Sequence, residues 1–103
     1  MSDTAIASRG DGRYALTGEL TYATVPNLWR SGGGVFGKDA AVRLDLSGIL
    51  RVDSAGIALL IEFTRTIKNS GGTILLEHAP PQLMAIATVS GLDEVLPFAR
   101  NTG

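Results

Sequence analysis

The residues able to do covalent or metal chemistry in this chain are few. There is one histidine, His78, and no cysteine. A hydrolase triad needs a nucleophile, a base that takes its proton and an acid that orients the base. His78 stands alone at the end of a strand-like segment, ahead of Ala79-Pro80-Pro81, and reads as a structural or surface residue. Without cysteine there are no thiolate nucleophiles, disulfides or cysteine zinc sites. The carboxylates show no ligand-like spacing within a loop. The glycine runs fail the phosphate test as well. Phosphate loops follow a strand and open a helix. Ser31-Gly32-Gly33-Gly34 instead follows a helix-like segment and lacks a Gly-Lys-Ser/Thr ending, so it reads as a connector. Gly10-Asp11-Gly12 and Gly71-Gly72 read as turns. The expectation is no catalytic residue, no metal and no cofactor.

One segment has functional geometry: Val52-Asp53-Ser54-Ala55-Gly56, where a strand end meets a helix start. Its plain role is capping, with Asp53 or Ser54 accepting a hydrogen bond from a first-turn N–H, worth about 1 kcal/mol. Gly56 then permits close packing of the turn. The helix behind it adds a second role. From Ala55 to Ile61 there is no charge, and apolar side chains occupy most of the circumference. One face covers a sheet; the remainder is buried by other helices or forms an exposed apolar patch, which marks a partner site. A serine at the rim of such a patch suits docking.

The elements that must position this segment follow from periodicity. Thr4–Ser8 and Tyr14–Glu19 form a hairpin about the Arg9–Gly12 turn, with Tyr14, Leu16 and Gly18 alternating against Ala15, Thr17 and Glu19. A helix capped by Thr24, with Pro26 in its first turn, carries Val25, Leu28, Trp29, Gly32, Val35 and Phe36 as one stripe and frays at the glycines. Val42, Leu44 and Leu46 alternate with Arg43, Asp45 and Ser47 as a strand, which Ser47-Gly48 breaks. A helix spans about Ala55–Asn69, stopped by Gly71-Gly72. Thr73–Glu77 reads as a central strand, and Pro80-Pro81 opens a last helix with Gly91 and Leu92 at its end. The segment from Asp93 onward is a short turn of helix or a strand, limited by Pro97. The order β-β-α-β-α-β-α implies an α/β fold with helices packed against a mixed sheet of four to five strands. Its strand–helix–strand unit from residue 42 to 78 requires parallel strands.

Composition narrows the class. The 103 residues allow one domain; they are 45% apolar and 18% charged, and nine Lys and Arg against ten Asp and Glu give a net charge of −1. That hydrophobicity excludes global disorder. The cations are scattered along the chain with no two adjacent, which argues against nucleic-acid binding. Met-Ser-Asp-Thr is not a secretory signal, and no apolar run approaches the roughly 20 residues of a membrane span. A cytoplasmic protein without direct membrane insertion is expected.

Val42-Arg43-Leu44-Asp45-Leu46-Ser47-Gly48, followed by Val52-Asp53-Ser54-Ala55-Gly56-Ile57-Ala58-Leu59-Leu60, resembles the signature of STAS domains, the sulfate-transporter and anti-sigma-factor-antagonist domains. Gly71-Gly72, the Pro80-Pro81 helix and Ser90-Gly91-Leu92-Asp93-Glu94-Val95 match the family's layout, so the resemblance covers a core of about residues 6–98 in a single domain, 1–103. Anti-sigma-factor antagonists carry Asp-Ser-Ser-Gly and are phosphorylated on the second serine. Here that position is Ala55, without a hydroxyl, which counts against a partner-switching regulator. A second branch supplies the small cytoplasmic subunit of a phospholipid-transporting ABC system, with a hydroxyl residue directly after the Asp. This implies a non-enzymatic accessory subunit for a Gram-negative cell, at the inner membrane through its complex and serving outer-membrane lipid asymmetry. Its partner would be the ABC transporter ATPase subunit, in a complex with permease and substrate-binding subunits. The implied partner-binding residues are Asp53, Ser54, Ala55 and Gly56 at the head, with Ile57, Ala58, Ile61 and Arg65 continuing the stripe. Leu60 and Phe63 face the core.

Overall fold

A computed structural model describes residues 4–32, 36 and 39–99. The strong alternation after residue 41 forms part of a sheet built in the expected order: β1 (Ala5–Gly10), β2 (Arg13–Leu20), α1 (Val25–Gly32), β3 (Ala41–Val52), α2 (Ser54–Asn69), β4 (Thr73–Glu77) and α3 (Pro81–Val89). The four strands lie in the order β1-β2-β3-β4. β1 and β2 are an antiparallel hairpin, while β2 with β3 and β3 with β4 are parallel, as the two crossover helices require. Val35, Gly33 and Gly34 of the expected stripe and connector lie outside the described residues. No helix among the described residues is long and apolar enough to cross a membrane.

Periodicity sorts the side chains. Tyr14, Leu16, Val42, Leu44, Leu46, Ile74 and Leu76 point to one face, where they share a core with Leu28 of α1, Leu60 and Phe63 of α2 and Leu83 of α3. Aromatic rings close one side of this core. Phe36 meets Tyr14 at 5.0 Å and Phe63 at 5.2 Å, both edge-to-face, and Trp29 stacks on Phe63 at 5.9 Å. Edge-to-face and offset pairs add about 0.5–1.5 kcal/mol each beyond burial. α2 and α3 both end in a Schellman motif. In α2, Gly72 N donates to Ile67 O (2.9 Å) and Gly71 N to Lys68 O (3.0 Å). In α3, Leu92 N donates to Ala87 O (2.7 Å) and Gly91 N to Thr88 O (3.1 Å).

Four local expectations are corrected. Ser47-Gly48 does not break β3. The pairing with β2 steps from Ala15↔Asp45 to Thr17↔Gly48, and an Asp45 side-chain oxygen accepts from Ser47 N at 2.9 Å, so the strand absorbs an extra residue as a bulge and runs on to Val52. β4 is not central. It pairs with the first half of β3 only, and its other side meets residues near the C-terminus, where Leu76 N donates to Pro97 O (2.9 Å) and Ala99 N to Leu76 O (2.7 Å). Thr24 does not cap α1 with its hydroxyl. That group turns back to β2, donating to Glu19 O (2.8 Å) and accepting from Thr21 N (3.0 Å). Ala15, expected to face out, is also buried. It lies under the ion pair of Arg9 and Asp45, which reaches over β2 from β1 to β3 at 3.3 Å.

Phe63 is 1% exposed and touches two other rings, so Phe63→Ala is expected to cost about 3–5 kcal/mol, read as a lowered midpoint in urea unfolding. The Tyr14 hydroxyl donates to Asp39, and this bond, with burial and the Asp39 charge, pushes the phenol from its ordinary 10.0 up to about 12. A raised folded-state value means stability present below pH 10 and lost as pH rises towards 12. Unfolding free energy is therefore expected to fall across that window in the natural chain, and Tyr14→Phe to remove that part of the fall.

Candidate functional site

The turn between β3 and α2 is organised by one carboxylate. Asp53 has extended backbone, φ −126° and ψ −172°, at the N-cap of α2. Its Oδ1 accepts from Ala55 N (2.9 Å) and from Gly56 N (3.3 Å), which also donates to Asp53 O (3.0 Å), so these first-turn donors are satisfied at the cap. Its Oδ2 accepts from Tyr22 N at 3.1 Å, in the loop between β2 and α1, and Asp53 N donates to Leu20 O at 3.1 Å. Of the two capping candidates, Asp53 takes the role, with Oδ1 alone. Ser54 is left as the first helical residue, exposed, with a hydroxyl that makes no hydrogen bond among the described residues.

Gly56 seats the helix on the strand ends. A Cβ there would stand 2.4 Å from Leu20 O and 2.8 Å from both Leu20 Cγ and Val52 Cγ2. The first turn of α2 thus rests directly on the C-terminal ends of β2 and β3. Because this fixes the helix's rotation, it divides the expected stripe. Ser54, Ala58 and Arg65 are exposed, and Ala55 and Ile61 are half-buried. Ile57, expected on the stripe, lies in the core at 3% exposure, and Gly56 is buried too. Leu60 and Phe63 are buried as expected. Arg65 holds Glu62 one turn back at 3.1 Å, an exposed pair of small energetic weight.

The exposed side of α2 faces an apolar groove of about 410 Å3 shared with α1. Ala55, Ala58, Leu59 and Glu62 line it from α2, and Val25, Pro26 and Trp29 from α1. Small alanines leave the space, Leu59 makes a buried floor, and Trp29, stacked on Phe63 yet 41% exposed, forms a wall. Ser54 precedes Ala58 by one turn and so stands at the groove's head. Tyr22, beside the Asp53 cap, is 78% exposed. Sequence reasoning missed the α1 wall and Tyr22. The available signal was Trp29 itself, a large aromatic at the margin of a stripe on a helix too short to bury it. Among the described residues no group of three or more potential ligands gathers for a metal.

This arrangement can hold a partner's apolar side chains against a capped helix with the exposed Ser54 hydroxyl at its end. The family model described as "Mlab, STAS domain" matches residues 6–97. The chain belongs to this STAS family. It is 31% identical to the intermembrane phospholipid transport system binding protein MlaB of Haemophilus influenzae (strain ATCC 51907 / DSM 11121 / KW20 / Rd), the match covering 77% of this chain and 79% of that protein. It is 28% identical to the protein of that name from Escherichia coli (strain K12), over 94% of this chain and 99% of the relative. Among solved structures, an anti-sigma factor antagonist from Mycobacterium paratuberculosis superposes with a TM-score of 0.75 at 22% identity, covering 99% of this chain and 88% of that one. The unphosphorylated anti-sigma factor antagonist SpoIIAA gives 0.72 at 16% identity, covering 96% and 90%. At those identities the likeness is one of fold, and it agrees with the mixed four-stranded STAS sheet.

Asp53→Ala removes the α2 cap and the tie to Tyr22 N together. The expected loss is about 2 kcal/mol, the upper end for a helix cap, with Asp53→Ser recovering part of it in the same chemical denaturation series.

Proposed function

We propose that this chain is a non-enzymatic accessory subunit that binds the ATPase of a phospholipid-transporting ABC complex and supports its assembly and activity. The observation that carries the reading is the α1–α2 groove, walled by the half-exposed Trp29 and headed by the unbonded Ser54, in a chain similar to proteins named for an intermembrane phospholipid transport system. Buried aromatics ringed by small and polar residues carry most of the energy in protein interfaces. In this proposal Trp29 and Leu59 are the apolar anchors, Ala55 and Ala58 allow close approach, and Asp53, Gly56 and Ile57 act indirectly by holding the helix. Ile61, Glu62 and Arg65 extend the contact along α2. The chain works as a single domain in the cytoplasm, at the inner membrane only through its complex with permease and substrate-binding subunits.

A partner-switching regulator of the anti-sigma-factor-antagonist kind is the second reading, supported by the shared fold. Ala55 argues against it, because the position that such a switch phosphorylates has no hydroxyl.

Co-expression with the ATPase subunit of the same cell's phospholipid transporter, followed by affinity capture and size-exclusion chromatography, tests the proposal. A co-eluting complex is expected. Ser54→Arg should abolish it while leaving the melting temperature within a degree or so of the parent, since the side chain is exposed and unbonded. Trp29→Ala should weaken binding by on the order of 2 kcal/mol, roughly thirtyfold. No complex, with an anti-sigma kinase captured instead, would favour the second reading.

A further inference from the structure

The sheet face turned away from the helices carries a row of like charges that sequence spacing hides. Arg13 of β2 and Arg43 of β3 are in register on neighbouring strands, both on this face because Tyr14 and Leu44 point to the core. Arg9 of β1 reaches the same surface, and Arg9, Arg13, Arg43, Asp45, Glu77 and His78 line a shallow cavity of about 330 Å3 together with Tyr14.

Like charges directly opposite each other across a sheet are unfavourable, and the two carboxylates relieve this only in part. Arg9 pairs with Asp45 at 3.3 Å and Arg43 with Glu77 at 3.4 Å, each through a single guanidinium nitrogen. Arg13 pairs with no carboxylate among the described residues. Three guanidinium groups against two carboxylates leave one positive charge in excess at this face. Several N–H donors also remain unspent, on planar forks whose geometry matches a tetrahedral or planar oxyanion.

We propose that this face is a phosphate-binding site, in which a phosphate group seats between Arg13 and Arg43 with Arg9 at its margin. The cavity admits one such group, and a single excess positive charge is too little to hold a polyanion such as a nucleic acid. The phosphate is either free or carried on a lipid headgroup. The site lies on the face opposite the α1–α2 groove and does not depend on the function proposed for that groove.

The test uses the full chain, uniformly 15N-labelled. Sodium phosphate is titrated at constant ionic strength against sodium chloride while amide shifts are followed. In parallel, the chain is co-sedimented with phosphatidylcholine vesicles with and without phosphatidic acid. Saturable shifts centred on Arg13, Arg43 and Glu77–His78, weakened at least tenfold in Arg13→Gln, identify a site for free phosphate. Sedimentation that requires phosphatidic acid and is lost in Arg13→Gln identifies the headgroup as the source. Arg13 is exposed, and unchanged amide dispersion elsewhere verifies that the variant is folded. Shifts that equal those in chloride or persist in Arg13→Gln, with no Arg13-dependent sedimentation, overturn the proposal.

Discussion

Everything at the groove depends on where α2 begins, and that is decided by a single residue, Asp53, touching three pieces of chain. The two oxygens of Asp53 face different ways, one into the first turn of α2 and one into the loop that leads to α1. Its backbone N–H holds the end of β2. The carboxylate therefore fixes the helix start and the approach of the neighbouring helix in one step. Gly56 completes the constraint from below, since any side chain there would collide with Leu20 and Val52. With the axial start and the rotation both fixed, an almost entirely apolar helix has only one way to divide its surface.

The aromatic rings carry that order into the interior. Trp29 rests on Phe63, Phe63 on Phe36, and Phe36 on Tyr14, whose hydroxyl ends on Asp39 near the start of β3. The groove's wall is thus continuous with the core rather than an appendage on a loop. A surface built on packed rings is ordered in advance, which lowers the cost of ordering side chains in any contact made there.

Elements governed by local rules were legible in the sequence. The alternation of Val42, Leu44 and Leu46, the capping chemistry before Ala55 and the glycines that end α2 and α3 each describe a few consecutive residues, and each appears as expected. Features that depend on a distant neighbour were not. Ser47-Gly48 looks like a stop until β2 is present to take up the bulge. Ile57 and Ala58 are equally suited to a core or a surface, and only contact with the strand ends separates them. Arg43 is far along the chain from Arg9 and Arg13, and the three become one row only through strand register. Trp29's exposure follows from the position of α2, which the stripe on α1 does not contain.

The two sides of the sheet end differently. The outer side of β4 is engaged by residues 97–99, which take its hydrogen bonds at Leu76. β1 has no strand on its outer side among the described residues, but its pairing slips between Ser8 and Gly10 and Arg9 interrupts its apolar character. Irregularity and charge on an open edge discourage strand-to-strand stacking of one copy on another. A small, cysteine-free sheet protein can then accumulate at the concentrations an assembly needs without polymerising through its own backbone.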